Sequence, residues 1–194
     1  MIFHTYILNP NCFNCVLVIK TLLFTVNIVF IINVIGFDIA WFGLVYWGDI
    51  FIPIALIMLA LHFYFVSKDK AKEFYLICTV TAIGIMVDSI LQYLGVFVFP
   101  EGQMIPFWLI TLWFCFASTL CHSLRFLQNS KLSQGLVGAL LAPVSYIAGN
   151  EMNAVSFGLT LTTTFVILSI IWGVLMILFF SLKSYLIHEE LRYV

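Results

Sequence analysis

The sequence predicts an all-α polytopic transmembrane bundle of six spans, with both termini in the cytoplasm. Three observations predict it. The chain of 194 residues is 63% hydrophobic and 9% charged, whereas a water-soluble domain carries about 25% charged residues. Its mean hydropathy is +1.14. Its charged and turn-rich breaks also divide it into runs close to the ~20 residues that a helix needs to cross a hydrocarbon core of ~30 Å. The alternation that a transmembrane barrel strand requires is missing from runs such as Phe51-Ile52-Pro53-Ile54-Ala55-Leu56.

Spans are expected at 17–37, 47–66, 75–98, 106–124, 132–150 and 156–181. Residues 1–16 are then a cytoplasmic N-terminal tail, 17–181 one membrane domain, and 182–194 a cytoplasmic C-terminal tail. The first span starts near Lys20 and ends at Gly36-Phe37-Asp38 without a small-x-small cleavage site, so it is expected to be retained rather than removed as a signal peptide. The second opens behind the aromatic cluster Trp41, Tyr46 and Trp47 and stops before Lys68, Lys70 and Lys72. Span three ends among Phe97, Phe99 and Glu101, and span four runs from Phe107 and Trp108 toward Arg125. Pro143, with Gly138, Ala139 and Ala142, makes span five a kinked, closely packed helix. Span six carries Thr160, Thr162, Thr163 and Thr164, whose hydroxyls can bond their own backbone.

Charge fixes the orientation. In this arrangement all 8 Lys and Arg residues fall on one side, while Asp38, Asp49, Glu101 and Glu151 fall on the other. Positive loops stay cytoplasmic. The rings around Trp41, Trp47, Phe99 and Trp108 then either form an outer belt at the headgroup level or pack under the short loops. A net charge of −1 leaves no basic excess for phosphate, so nucleic acid is excluded as a partner.

Polar residues at membrane depth are the functional candidates. Asp88 lies deep in span three, with Gln92 one turn away on the same face, and Ser145 and Tyr146 of span five reach a similar depth. Two readings stay open for Asp88. It is a proton-carrying or substrate-binding carboxyl, or a lock between helices through Tyr146, Ser145 or Ser118. A second polar group, on the cytoplasmic side, comprises His122, Ser123 and His62, with His188 as a further imidazole and Asp69 or Glu189 as oxygen donors. No two of these histidines have the i, i+3 or i, i+4 spacing of helical metal motifs. No metal and no cofactor is expected.

The outer end of span five, Ser145 to Asn153, forms with Asp49 and Glu101 a candidate polar mouth. Cys78, Cys115 and Cys121 lie inside spans as small hydrophobes. Cys12 and Cys15 form a lone Cys-x-x-Cys with only His4 nearby, to which no redox or zinc role is assigned. Nucleophile elbows, phosphate loops and dinucleotide fingerprints are missing.

Three stretches carry a family resemblance: Gly84-x-x-x-Asp88-Ser89-x-Leu91-x-x-x-Gly95, then Pro106-x-Trp108-x-x-x-x-Trp113-x-x-Phe116-Ala117-x-x-Leu120-x-His122-Ser123-Leu124, then Gly138-Ala139-x-x-x-Pro143-x-x-Tyr146-x-x-Gly149. Over residues 19–180 the chain resembles the bacterial inner-membrane family called domain of unknown function 2878, departing from it after Gly149. The family has no assigned activity, and the resemblance implies a role near membrane lipids. The expected protein is thus a multi-pass component of the bacterial inner (cytoplasmic) membrane, accessory to membrane-lipid or envelope metabolism. Its expected partners are membrane lipids and another membrane or lipid-modifying protein. The alternatives are a small proton-linked transporter using Asp88, or a membrane-embedded lipid-modifying enzyme centred on Asp88, His122 and Tyr146. Whether it is an enzyme stays open.

Overall fold

Apolar helices account for nearly all of the described chain, with Pro143 inside one of them. The structure, a computed structural model, describes residues 13–67, 69–99 and 105–187, with side chains from residue 28 onward. The helices are α1 (Phe13–Trp47), α2 (Ile52–Val66), α3 (Lys70–Tyr93), α4 (Phe107–Thr119), α5 (Lys131–Glu151) and α6 (Leu161–Leu186). Two short strands, β1 (Phe97–Val98) and β2 (Ser156–Phe157), form an antiparallel pair.

Helix α1 does not stop at Phe37. It continues through Asp38 to Trp47, because nothing between those residues breaks a helix. Gly48 then takes φ +59°, open to glycine at little cost, and a 3-10 turn over Gly48–Phe51 reverses the chain. Pro53 fits the first turn of α2, where its missing N–H leaves no hydrogen bond unmade. The ring of Phe51 folds over Gly43 so closely that a Cβ there would come within 2.2 Å of it. The hairpin is antiparallel, since Asn33 on α1 reaches His62 near the far end of α2.

Asp69 caps α3, its carboxylate accepting from the Lys72 N–H at 3.2 Å and pairing with the Lys72 ammonium at 3.1 Å. These bonds hold the Asp69 carboxyl below its usual range. Helix α3 ends at Tyr93, short of the expected residue 98. Gly95 turns the chain with φ +72°, and Phe97 and Val98 pair with Phe157 and Ser156. The same pairing replaces the expected start of span six, which begins as a helix at Leu161 and runs on to Leu186. Ser130 and Thr160 cap α5 and α6 by accepting from Ser133 N–H and Thr163 N–H.

Four segments are long and apolar enough to cross a membrane: Ile28–Val66 (the α1–α2 hairpin), Lys70–Tyr93, Lys131–Glu151 and Leu161–Leu186. Phe107–Thr119 is shorter. Large apolar side chains such as Ile35, Ile57, Leu140 and Ile170 cover the outer surface, as lipid-facing positions require. The chain is a multi-pass helical membrane protein.

Packing divides the bundle. Helix α4 packs against α1, α2 and α3, while α5 packs almost wholly on α6. Gly138 sets the α5–α6 approach, for a Cβ there would lie 2.4 Å from the Trp172 carbonyl oxygen. A cleft remains where α1 and α4 face α5. Lys70, Lys72, Arg125, Lys131 and Lys183 lie around one end of the bundle, called the basic end below, and Asp49 and Glu151 around the other. Asp49 also accepts from the Trp108 N–H at 2.9 Å, tying the α1–α2 turn to the start of α4.

Candidate functional site

Helix α3 buries a stripe at helical spacing: Glu73, Leu76, Ile77, Val80, Thr81, Gly84, Asp88 and Leu91. It therefore carries one carboxyl near each end of its buried face. Glu73 and Asp88 are 15 positions apart, about 22 Å of helix rise. A single centre containing Asp88, Tyr146 and His122 is thereby excluded, because His122 pairs with Glu73. These candidate residues fall in two separate polar centres.

The first surrounds Asp88, which is 1% exposed. The Trp113 indole N–H donates to Oδ2 at 2.7 Å, and the Tyr146 hydroxyl donates to Oδ1 at 2.8 Å. One carboxyl thus joins α3, α4 and α5. The rings are held in turn. Trp113 lies flat on Trp172 of α6, with centroids 5.1 Å apart and planes 5° from parallel. Tyr146 stacks on the buried Phe97 at 4.9 Å. Gly84 makes room for the indole, since a Cβ there would come 2.2 Å from it. Of the expected partners, only Tyr146 meets Asp88. Gln92 is half-buried and not bonded to it, Ser145 accepts from the Trp41 indole N–H at 2.7 Å, and Ser118 donates to the Cys115 carbonyl of its own helix.

The second centre lies at the basic end. His122 Nε2 is 2.8 Å from Glu73 Oε1, with the two side chains 10% and 6% exposed. His62 packs edge-on against His122, centroids 4.6 Å apart. Asn33 holds this arrangement from α1. Its Oδ1 accepts the Ser123 backbone N–H at 3.1 Å, which orients its amide, so Nδ2 faces His62 Nε2 at 3.3 Å. Ser123 thus contributes its backbone here. The structure brings His62 and His122 together as expected on one side, and adds Glu73 and Asn33. His4, Cys12, His188, Glu189, Glu101, Lys68 and Arg192 lie outside the described residues, as do the side chains of Cys15 and Lys20.

Between the centres runs the cleft, a cavity of about 390 Å³. Phe37 and Trp41 of α1, Leu112 and Phe116 of α4, and Leu141 and Ala142 of α5 line it. Asp88 is not in its wall; the rings of Trp113 and Tyr146 are. Its few polar residues are Asp38 and Ser145, partway along α1 and α5, and Thr119 and Ser123, at and just beyond the end of α4. Phe30, Leu141 and Phe126 along it are 42%, 64% and 69% exposed, so the cleft opens sideways on the lipid-facing surface. The Trp41–Ser145 hydrogen bond crosses it from α1 to α5.

Trp113, Glu73 and Asn33 escape the reading of single polar residues. Glu73 is nonetheless detectable, because counting back from Asp88 in steps of three and four residues reaches it on the same stripe.

A family model described as "Protein of unknown function (DUF2878)" matches residues 30–178. No curated protein and no solved structure matches the chain.

Proposed function

The chain belongs to the DUF2878 family, whose match takes in both polar centres and the cleft, and from that premise we propose that it binds a lipid acyl chain between α1, α4 and α5. In this reading it is a non-enzymatic, accessory component of membrane-lipid or envelope metabolism in the bacterial inner membrane. It would hold a lipid or present it to a modifying enzyme. The observation that carries the reading is the cleft, which is apolar, opens toward lipid, and has a volume of about 390 Å³. That volume falls within the range of about 300–1,000 Å³ typical of ligand pockets. A chain entering it from the bilayer gains little from the hydrophobic effect, since lipid tails are as apolar as the cleft. Selection then rests on shape and on the few polar groups in its wall.

A six-span arrangement with both ends cytoplasmic belongs to the same proposal. Lys70, Lys72, Arg125, Lys131 and Lys183 at one end, against Asp49 and Glu151 at the other, support it through the positive-inside rule. Helices α2 and α4, of 15 and 13 residues, span only about 20 Å. The turns that extend them and a locally thinned bilayer make up the difference.

The proton-carrier alternative gains no such support. Both Asp88 oxygens are occupied by donors and neither lines the cleft, which favours the lock.

Native mass spectrometry of the protein released from nanodiscs tests the reading. Wild type should carry one bound lipid, and Ala142→Trp, which fills the cleft, should lose it while remaining folded. Equal lipid retention by both would overturn it.

A further inference from the structure

We propose that His62, Glu73 and His122 form a binding site for a divalent transition-metal ion of the zinc or iron(II) class. The ligand atoms come from α2, the start of α3 and the turn after α4, and all lie within 4.8 Å of one another. Two imidazoles and one carboxylate are a donor set that zinc and non-haem iron sites share. Such ligands stand about 2.0–2.2 Å from the ion. The pair at 2.8 Å is hydrogen-bonded and opens by about half an ångström to admit an ion, while the third group closes by roughly an ångström.

Burial separates this cluster from surface acids that lie together by chance. Glu73 is 4% exposed, and among the described residues its ion-pair partner is a histidine rather than a Lys or Arg. A carboxylate sunk in apolar surroundings is costly unless a charge or a metal meets it. The Ser123 N–H fixes the Asn33 amide, whose Nδ2 donates to His62 Nε2, so that nitrogen is unprotonated and its lone pair is held by a long hydrogen bond of 3.3 Å that an ion would displace. An ion would exchange the His122–Glu73 hydrogen bond and the long Asn33 contact for bonds to itself. Three protein ligands leave at least one coordination position for water or a substrate oxygen. The inference does not depend on the lipid reading, since the cleft and this cluster share no side-chain ligand.

The test uses the full-length chain carrying Cys12→Ser and Cys15→Ser and no His-tag, so that neither the tail thiols nor a tag compete for the ion. After chelator stripping and reloading with Zn²⁺, elemental analysis should find one equivalent per chain. Glu73→Gln and His62→Ala should each weaken binding at least 10- to 100-fold, with unchanged circular dichroism and elution volume. If either variant fails to fold, Co²⁺ titration of the unsubstituted cluster decides. Saturation at one equivalent, with ligand-field bands that Zn²⁺ removes, supports the site. Less than a tenth of an equivalent bound, or affinity unchanged in folded His62→Ala, would overturn it.

Discussion

Asp88→Asn and Asp88→Ala should have very different effects on stability. The asparagine keeps the shape and both hydrogen bonds. Its Oδ1 accepts from the Trp113 N–H, and its Nδ2 donates to the Tyr146 oxygen, whose hydroxyl rotates away. The alanine leaves two donors unpaired at a site that is 1% exposed. In membrane proteins an interhelical hydrogen bond is worth about 0.6–1.7 kcal/mol, so the pair accounts for about 1–3 kcal/mol. The void left by the carboxyl adds ~1 kcal/mol. Asp88→Ala should therefore cost about 2–4 kcal/mol, and Asp88→Asn less than ~1 kcal/mol. For a chain of this size that difference lowers the midpoint by roughly 5–15 °C. Thermal unfolding in detergent, followed by tryptophan fluorescence, reads both, and Trp113 itself is a reporter. An asparagine variant as unstable as the alanine would refute the reasoning, because it would mean that the site needs a charge rather than acceptors and a shape.

The glycines on α5 give a controlled pair. A Cβ at Gly138 meets the Trp172 carbonyl at 2.4 Å, whereas one at Gly135 meets a side-chain methyl at 3.4 Å. Gly138→Ala should cost about 1–3 kcal/mol by forcing α5 from α6, while Gly135→Ala stays near neutral or gains up to ~1 kcal/mol of helix propensity. Paired melting curves check this, and equal effects would contradict the packing. Trp41→Phe removes the bond to Ser145 that crosses the cleft. Lipid exchange, followed with a fluorescent phospholipid, should quicken about 3- to 15-fold if that bond holds the cleft closed.

Much of this was legible in the residues, and the misses have physical causes. Helix rise alone puts Asp88 and Tyr146 at one depth, and the structure joins them at 2.8 Å. Trp113 was invisible as a donor, because an indole in an apolar run is first of all a large hydrophobe and its N–H finds a purpose only when a carboxyl faces it. Glu73 hid among Lys70 and Lys72, where an acid in a first helical turn is ordinary. The boundaries moved for a different reason. Val96, Phe97 and Val98 are as apolar as a helix end, so hydropathy runs on where the backbone turns at Gly95 into a strand. Between Asp38 and Trp47 the helix is instead prolonged, and the turn that ends it depends on Phe51 covering Gly43, a contact no local pattern announces. Helices apolar on all sides also leave little periodicity from which to read their inner faces, so the cleft itself could not be foreseen.

The most direct measurement is untargeted lipid analysis of a strain lacking the gene, complemented in turn by wild type, Ala142→Trp and Asp88→Asn. If the cleft is the working part and the buried carboxyl a lock, deletion alters the lipid profile, wild type and Asp88→Asn restore it, and Ala142→Trp does not. Restoration by Ala142→Trp with failure of a folded Asp88→Asn would contradict the account and return the function to the carboxyl.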